Sequence, residues 1–186
     1  MAVPSDNFFV LTGGPGSGKT TLIGELARRG VNVSEESGRA VIREQIEAGG
    51  SALPWLEREA FARLMFEREL VSWRDAAKLG GPVFFDRGIA DTIGYLRLEG
   101  LAVPSQMLRA ASRFRYARTV FAAPFWADIY VTDAERRQDE TLARATFHAV
   151  TAAWRELGYD IVELPLSTAA RRADFVLDRA HRPIRG

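Results

Sequence analysis

Residues 8–22 read Phe8-Phe9-Val10-Leu11-Thr12-Gly13-Gly14-Pro15-Gly16-Ser17-Gly18-Lys19-Thr20-Thr21-Leu22. An apolar run of strand length leads directly into the pattern G-x-x-x-x-G-K-[ST], and Leu22, Ile23, Leu26 and Ala27 follow at helical spacing. A strand, a glycine-rich loop and a helix in that order are the context a phosphate-binding loop requires. The glycines let successive backbone N–H groups converge on phosphate oxygens, and the helix start adds its partial positive charge. On this reading the stretch from Gly13 to Thr21 binds a nucleoside triphosphate. Lys19 reaches the β- and γ-phosphates, and Thr20 offers its hydroxyl to Mg²⁺. ATP and Mg²⁺ are the ligands expected.

Working outward, the spacing predicts helices over 20–29, 37–48, 54–79, 91–98 and 104–116, a long one from Asp133 to about Leu157, and a last one capped by Ser167. Pro54 suits a first helical turn, and Asp91 can cap its helix. The remaining strands are expected at 31–34, 83–85, 118–122 and 160–164, with 129–131 the rival for the fourth. Trp55, Phe61, Phe66 and Trp73 recur at helical spacing and read as core. On the long helix the apolar face is Leu142, Thr146, Ala149, Val150, Ala153 and Leu157. Strands alternating with helices imply βαβ units, hence an α/β fold: a parallel five-stranded sheet with helices on both faces. One domain is expected across 1–186, with a lid-like segment at about 124–145 and a loose tail from His181 to Gly186.

Composition narrows the function classes. With 25 Lys+Arg against 24 Asp+Glu, the net charge of +1 supplies no global field for nucleic acid or an anionic membrane. There are no cysteines, which suits a reducing compartment. The first apolar run stops at Thr12 without a basic leader, and no stretch approaches the ~18 apolar residues of a membrane span. The expectation is a cytoplasmic protein with a small-molecule partner.

In an open parallel sheet, ligands gather beyond the carboxyl ends of the strands. That rule nominates Glu35-Glu36 after the second strand and Asp86-Arg87 after the third. Asp86 can hold a Mg²⁺ water or take a proton from an attacking hydroxyl, or else serve as a helix cap or a salt bridge to Arg87; Arg87 either grips a phosphate with its forked donors or pairs with a nearby acid. Glu36 and Arg39 share a helix face, either as a site pair or as an ordinary i, i+3 ion pair. On the long helix, Arg137, Glu140, Arg144 and His148 form a polar row. Arg136, Arg137 and Arg144 are the candidate lid arginines of this region, and periodicity does not rank them.

The succession TGGPGSGKTTL, EESGR, FFDRGIADTIGYL, APFW and DAERRQ, then LGYDIVELPLS, resembles the small P-loop domains labelled predicted ATPase or kinase within a broadly named AAA group. It is more distantly similar to nicotinamide-riboside and deoxynucleoside kinases, and the likeness runs over nearly the whole chain. The resemblance implies a P-loop NTPase of the nucleoside- or nucleotide-kinase type. It makes Glu36 and Asp86 the base or metal carboxylates, Arg39 and Arg87 the acceptor-side arginines, and Arg136 and Arg137 the lid arginines. Gly88 stands where deoxynucleoside kinases usually carry Ser, so their nucleoside specificity does not transfer. Two functions compete: a Mg²⁺-dependent kinase moving the γ-phosphoryl of ATP to a small metabolite, and a nucleotide-switched ATPase or GTPase module with a protein or lipid partner.

Overall fold

A computed structural model describes residues 6–129 and 140–180. Five strands, β1 (Phe8–Gly13), β2 (Asn32–Ser34), β3 (Val83–Asp86), β4 (Thr119–Ala123) and β5 (Asp160–Glu163), form one sheet in the order β2-β3-β1-β4-β5. Every pairing is parallel, with Val10 opposite Phe85 on one side and Val120 on the other. The helices are α1 (Lys19–Arg28), α2 (Ser37–Ala48), α3 (Arg58–Ala76), α4 (Ile89–Leu98), α5 (Ser105–Arg113), α6 (Glu140–Glu156) and α7 (Ala169–Ala180).

The central strand shows why the sheet is covered on both faces. All six residues of β1 are buried, and a strand alternates its side chains between faces. Phe8 and Val10 join Phe85, Trp73, Ile93 and Trp154 in one core, beneath α3, α4 and α6. Phe9 and Leu11 join Phe84, Phe121, Leu22, Leu26 and Val176 in the other, beneath α1 and α7. Aromatic pairs mark both layers: the Phe8 ring centroid lies 5.3 Å from that of Trp73, and Phe9 lies 5.2 Å from Phe84. Strand order reverses at β1, so the loop after it opens at the switch point where ligands bind in such sheets.

Several local expectations need correction. The third helix begins at Arg58 and not at Pro54; residues 54–56 are a turn, and Trp55 is 60% exposed, so only Phe61, Phe66 and Trp73 of the aromatic row are core. The buried face of α6 is Ala143, Val150, Thr151, Ala153 and Trp154, with Leu142 outside it. A one-position rotation of a helical stripe is easily missed when Ala carries most of it. Thr168, not Ser167, caps α7: its hydroxyl accepts from Arg171 N–H at 3.4 Å and its carbonyl from Arg172 at 2.9 Å. Residues Ala127–Ile129 form a 3₁₀ turn where 129–131 had been the alternative strand; positions 130 and 131 lie outside the described residues, as do the expected helix start at Asp133 and the tail from His181.

Candidate active site

Gly18 enters α1 in the left-handed conformation, and the loop before it wraps the Lys19 side chain. At Gly13, φ is +135° and an added Cβ would sit 2.3 Å from the Ala123 carbonyl oxygen, so only glycine lets β1 turn out beside β4. Lys19 Nζ donates to Gly14 O at 2.7 Å, to Gly13 O at 3.2 Å and to Ser17 Oγ at 3.1 Å. These bonds favour the ammonium, but burial, followed by the charge of Arg87, pulls its pKa down to about 7. An anion arriving in the loop would offset that penalty. Thr20 and Thr21 stand exposed at the start of the helix.

Opposite the loop, the carboxyl ends of β2 and β3 supply Glu36, Asp86 and Arg87. Arg87 Nε donates to Glu36 Oε1 at 2.9 Å, and its Nη1 to Gly13 O at 2.9 Å and Asp91 Oδ1 at 3.3 Å. Arg87 thus joins three strand ends. It is also the one non-glycine residue at positive φ among the described residues, at 75°. Holding a side chain there costs about 1–3 kcal/mol, and such strain clusters at functional sites. Burial works against its charge, yet Glu36, Asp91 and Asp86 outweigh it and hold its pKa above the ordinary value.

The two carboxylates are driven apart. For Glu36, burial is overcome by Arg87, then Lys19 and Arg39, so the pKa lies below the usual range. Its second oxygen takes Arg39 Nε at 2.9 Å, with the Arg39 side chain 52% exposed. Asp86, 5% exposed, is pushed up to about 6 by burial and then by the charge of Glu36. Its Oδ1 is buried and has no hydrogen-bond partner among the described residues. An orphaned buried carboxylate oxygen beside a phosphate loop suits a metal-bound water. Mg²⁺ uses few protein ligands, so Thr20 with Asp86 fits it, although no cluster of three or more His, Cys, Asp or Glu exists among the described residues.

The chain thus brings Lys19, Glu36, Asp86 and Arg87 together, with Arg39 at the rim. Arg136 and Arg137 lie outside the described residues. Arg144 pairs with Glu140 at 2.7 Å and stacks 4.8 Å over Phe125. Glu35 is exposed and pairs with Arg43 at 2.6 Å.

Three residues were missed from sequence. Asp91 lies in the first turn of α4 and gathers donors from three elements, and only its spacing from Arg87 hinted at more than a cap. Glu69 on α3 is buried and hydrogen-bonded to Ser37; burial and then Asp91 push its carboxyl well up. Arg172 on α7 is 1% exposed and donates to Ser17 O at 2.7 Å and Pro165 O at 2.8 Å, bracing the loop from below. Nothing in its helical stripe distinguishes it from a surface arginine.

The family described as AAA domain matches residues 8–172. Among solved structures, the NadR protein in complex with NR superposes with a TM-score of 0.68 at 22% identity, covering 95% of this chain and 51% of that one; the present chain spans about half its length. Shikimate kinase from Acinetobacter baumannii in complex with shikimate gives 0.54 at 16% identity, over 93% and 92% of the two chains. Deoxyadenosine kinase from M. mycoides with bound dATP gives 0.55 at 9% identity, over 94% and 99%. No curated relative matches. At these identities the likeness is one of fold, that of a P-loop kinase. Among the described residues, no helix is long and apolar enough to cross a membrane.

Proposed function

We propose, from the premise that the chain belongs to the AAA-domain family, that it is a Mg²⁺-dependent kinase transferring the γ-phosphoryl of ATP to a hydroxyl of a small, nucleoside-like metabolite. The observation that carries this reading is the carboxylate–arginine set across from the phosphate loop, in which Arg87 links Glu36 to the Gly13 carbonyl. A nucleotide switch needs only segments that respond to the γ-phosphate. A kinase needs charged groups that receive an acceptor beyond it, and Glu36 and Arg39 supply them.

In this mechanism Lys19 and the loop N–H groups hold the β- and γ-phosphates, and Arg87 stabilises charge on the transferring group. Thr20 and Asp86 would hold Mg²⁺, which would supply charge neutralisation at the phosphates. Glu36, kept ionised by its arginines, accepts a hydrogen bond from the acceptor hydroxyl and orients it. The acceptor oxygen then bonds to the γ-phosphorus as the bond to the β-phosphate oxygen breaks, and the hydroxyl proton passes to Glu36. Arg136 and Arg137 belong to the lid in this proposal.

The test is ATP consumption with mass detection of phosphorylated product across nucleosides, ribosides and polyhydroxy acids. A product that disappears in Glu36→Gln supports the kinase. No product from any acceptor, with partner binding that follows the nucleotide state, overturns it in favour of the switch.

A further inference from the structure

We propose that Asp91 is a positioning residue that sets Arg87 for phosphoryl transfer, acting through the arginine and never on the substrate. The inference rests on the role given to Arg87 above.

Asp91 is 4% exposed, and its two oxygens divide their work. Oδ2 accepts from Gly88 N–H at 3.1 Å and from Trp154 Nε1 at 2.9 Å. Oδ1 accepts from the Thr12 hydroxyl and from Arg87 Nη1 at 3.3 Å. A helix cap needs the Gly88 contact alone. The others reach the strand that feeds the phosphate loop, the guanidinium of Arg87, and α6.

The position matters because Arg87 is doubly constrained. Its backbone sits in the left-handed region, and the Gly88 N–H held by Oδ2 belongs to the next peptide in that turn. Among the described residues its guanidinium is held by Glu36, Gly13 O and Oδ1, through Nε and Nη1. Among the described residues Nη2 makes no hydrogen bond, and the side chain is 18% exposed. Nη2 is therefore the arm left for a phosphoryl oxygen. Asp91 clamps both the turn that launches the side chain and the nitrogen beside that arm. A buried carboxylate that holds the Arg87 guanidinium on one oxygen and the Gly88 N–H on the other keeps this geometry before any ligand arrives; the Trp154 donor only shares Oδ2 with Gly88.

A double-mutant cycle on the full chain tests this, reading phosphate release from MgATP with water as acceptor, alongside MgATP affinity by calorimetry. Asp91→Asn should slow release on the order of 10²-fold, the scale of a small misplacement of a catalytic group, with affinity held within a few fold. Arg87→Ala should slow it at least as much, and the double variant should match Arg87→Ala within about twofold. Trp154→Phe removes a neutral donor from Oδ2 and leaves the Arg87 contact, so it should stay near the wild-type rate. Additive losses, or equal losses in Asp91→Asn and Trp154→Phe, would reduce Asp91 to a structural residue. A slow Arg87→Ala with a normal Asp91→Asn overturns the Asp91 role alone; a normal Arg87→Ala overturns both it and the role of Arg87. Should Asp91→Asn not fold, Asp91→Ser, which keeps an oxygen for Gly88 N–H, carries the same cycle.

Discussion

Replacing Lys19 by Met should stabilise the ligand-free protein while destroying its nucleotide binding. The buried ammonium has a pKa displaced from 10.5 to about 7. At 1.36 kcal/mol per tenfold change in proton affinity, that displacement corresponds to about 5 kcal/mol of penalty for folding with the charge in place. Part of it is returned in Met, because Gly13 O, Gly14 O and Ser17 Oγ lose their donor at up to about 1 kcal/mol each. A net gain of about 2–3 kcal/mol remains, or a melting temperature higher by roughly 5–10 °C for a chain of this length. The pH dependence gives the sign check. Because the folded-state pKa is depressed, the unfolded chain binds the extra proton between about pH 7 and 10.5, so wild-type stability rises with pH across that window. The Met variant lacks this slope, and the gap between the two should be widest below pH 7 and close toward pH 10. Calorimetric melting without nucleotide, at pH 6.5 and at pH 9.5, measures both quantities, and added MgATP should raise the wild-type midpoint alone. A Met variant that melts at or below the wild type at pH 6.5, or a gap indifferent to pH, would refute the burial argument.

Asp86 titrates near 6 in the ligand-free protein, so kcat/KM for MgATP should fall as pH drops through about 6, and a limb confined below pH 4.5 would contradict the assignment. Its raised pKa also means a proton taken up on folding, so Asp86→Asn should make the protein lose less stability than wild type as pH rises from 4 to 7 in urea titrations. Gly94→Ala would place a Cβ 2.7 Å from the Val150 Cα, forcing α4 from α6 at a cost of about 1–3 kcal/mol; an unchanged denaturation midpoint would show that the helices yield freely. Arg39→Ala should alter stability by less than about 1 kcal/mol, because its ion pair is half exposed, and should raise the acceptor KM without affecting MgATP affinity.

The alternation of apolar strands with helical stripes, punctuated by the glycine-rich loop, determined the five parallel strands and the place of the phosphate site, since both are local patterns of one segment each. Glu36, Asp86 and Arg87 were legible for a related reason: a residue directly after a strand must emerge at the sheet's carboxyl edge. Tertiary structure alone decided what those side chains do to one another. Glu36 and Asp86 are both acids at strand ends, and only the arginines around one and the burial of the other drive their pKa values in opposite directions. Asp91 reads as a helix cap because its partner Trp154 lies 63 residues away, and nothing in the sequence singles out Arg172, whose acceptor Ser17 lies 155 residues away. Periodicity reports which face of a helix is apolar. It carries no record of which distant backbone oxygen or indole N–H a buried charge will meet, because that pairing is set by the packing of whole elements.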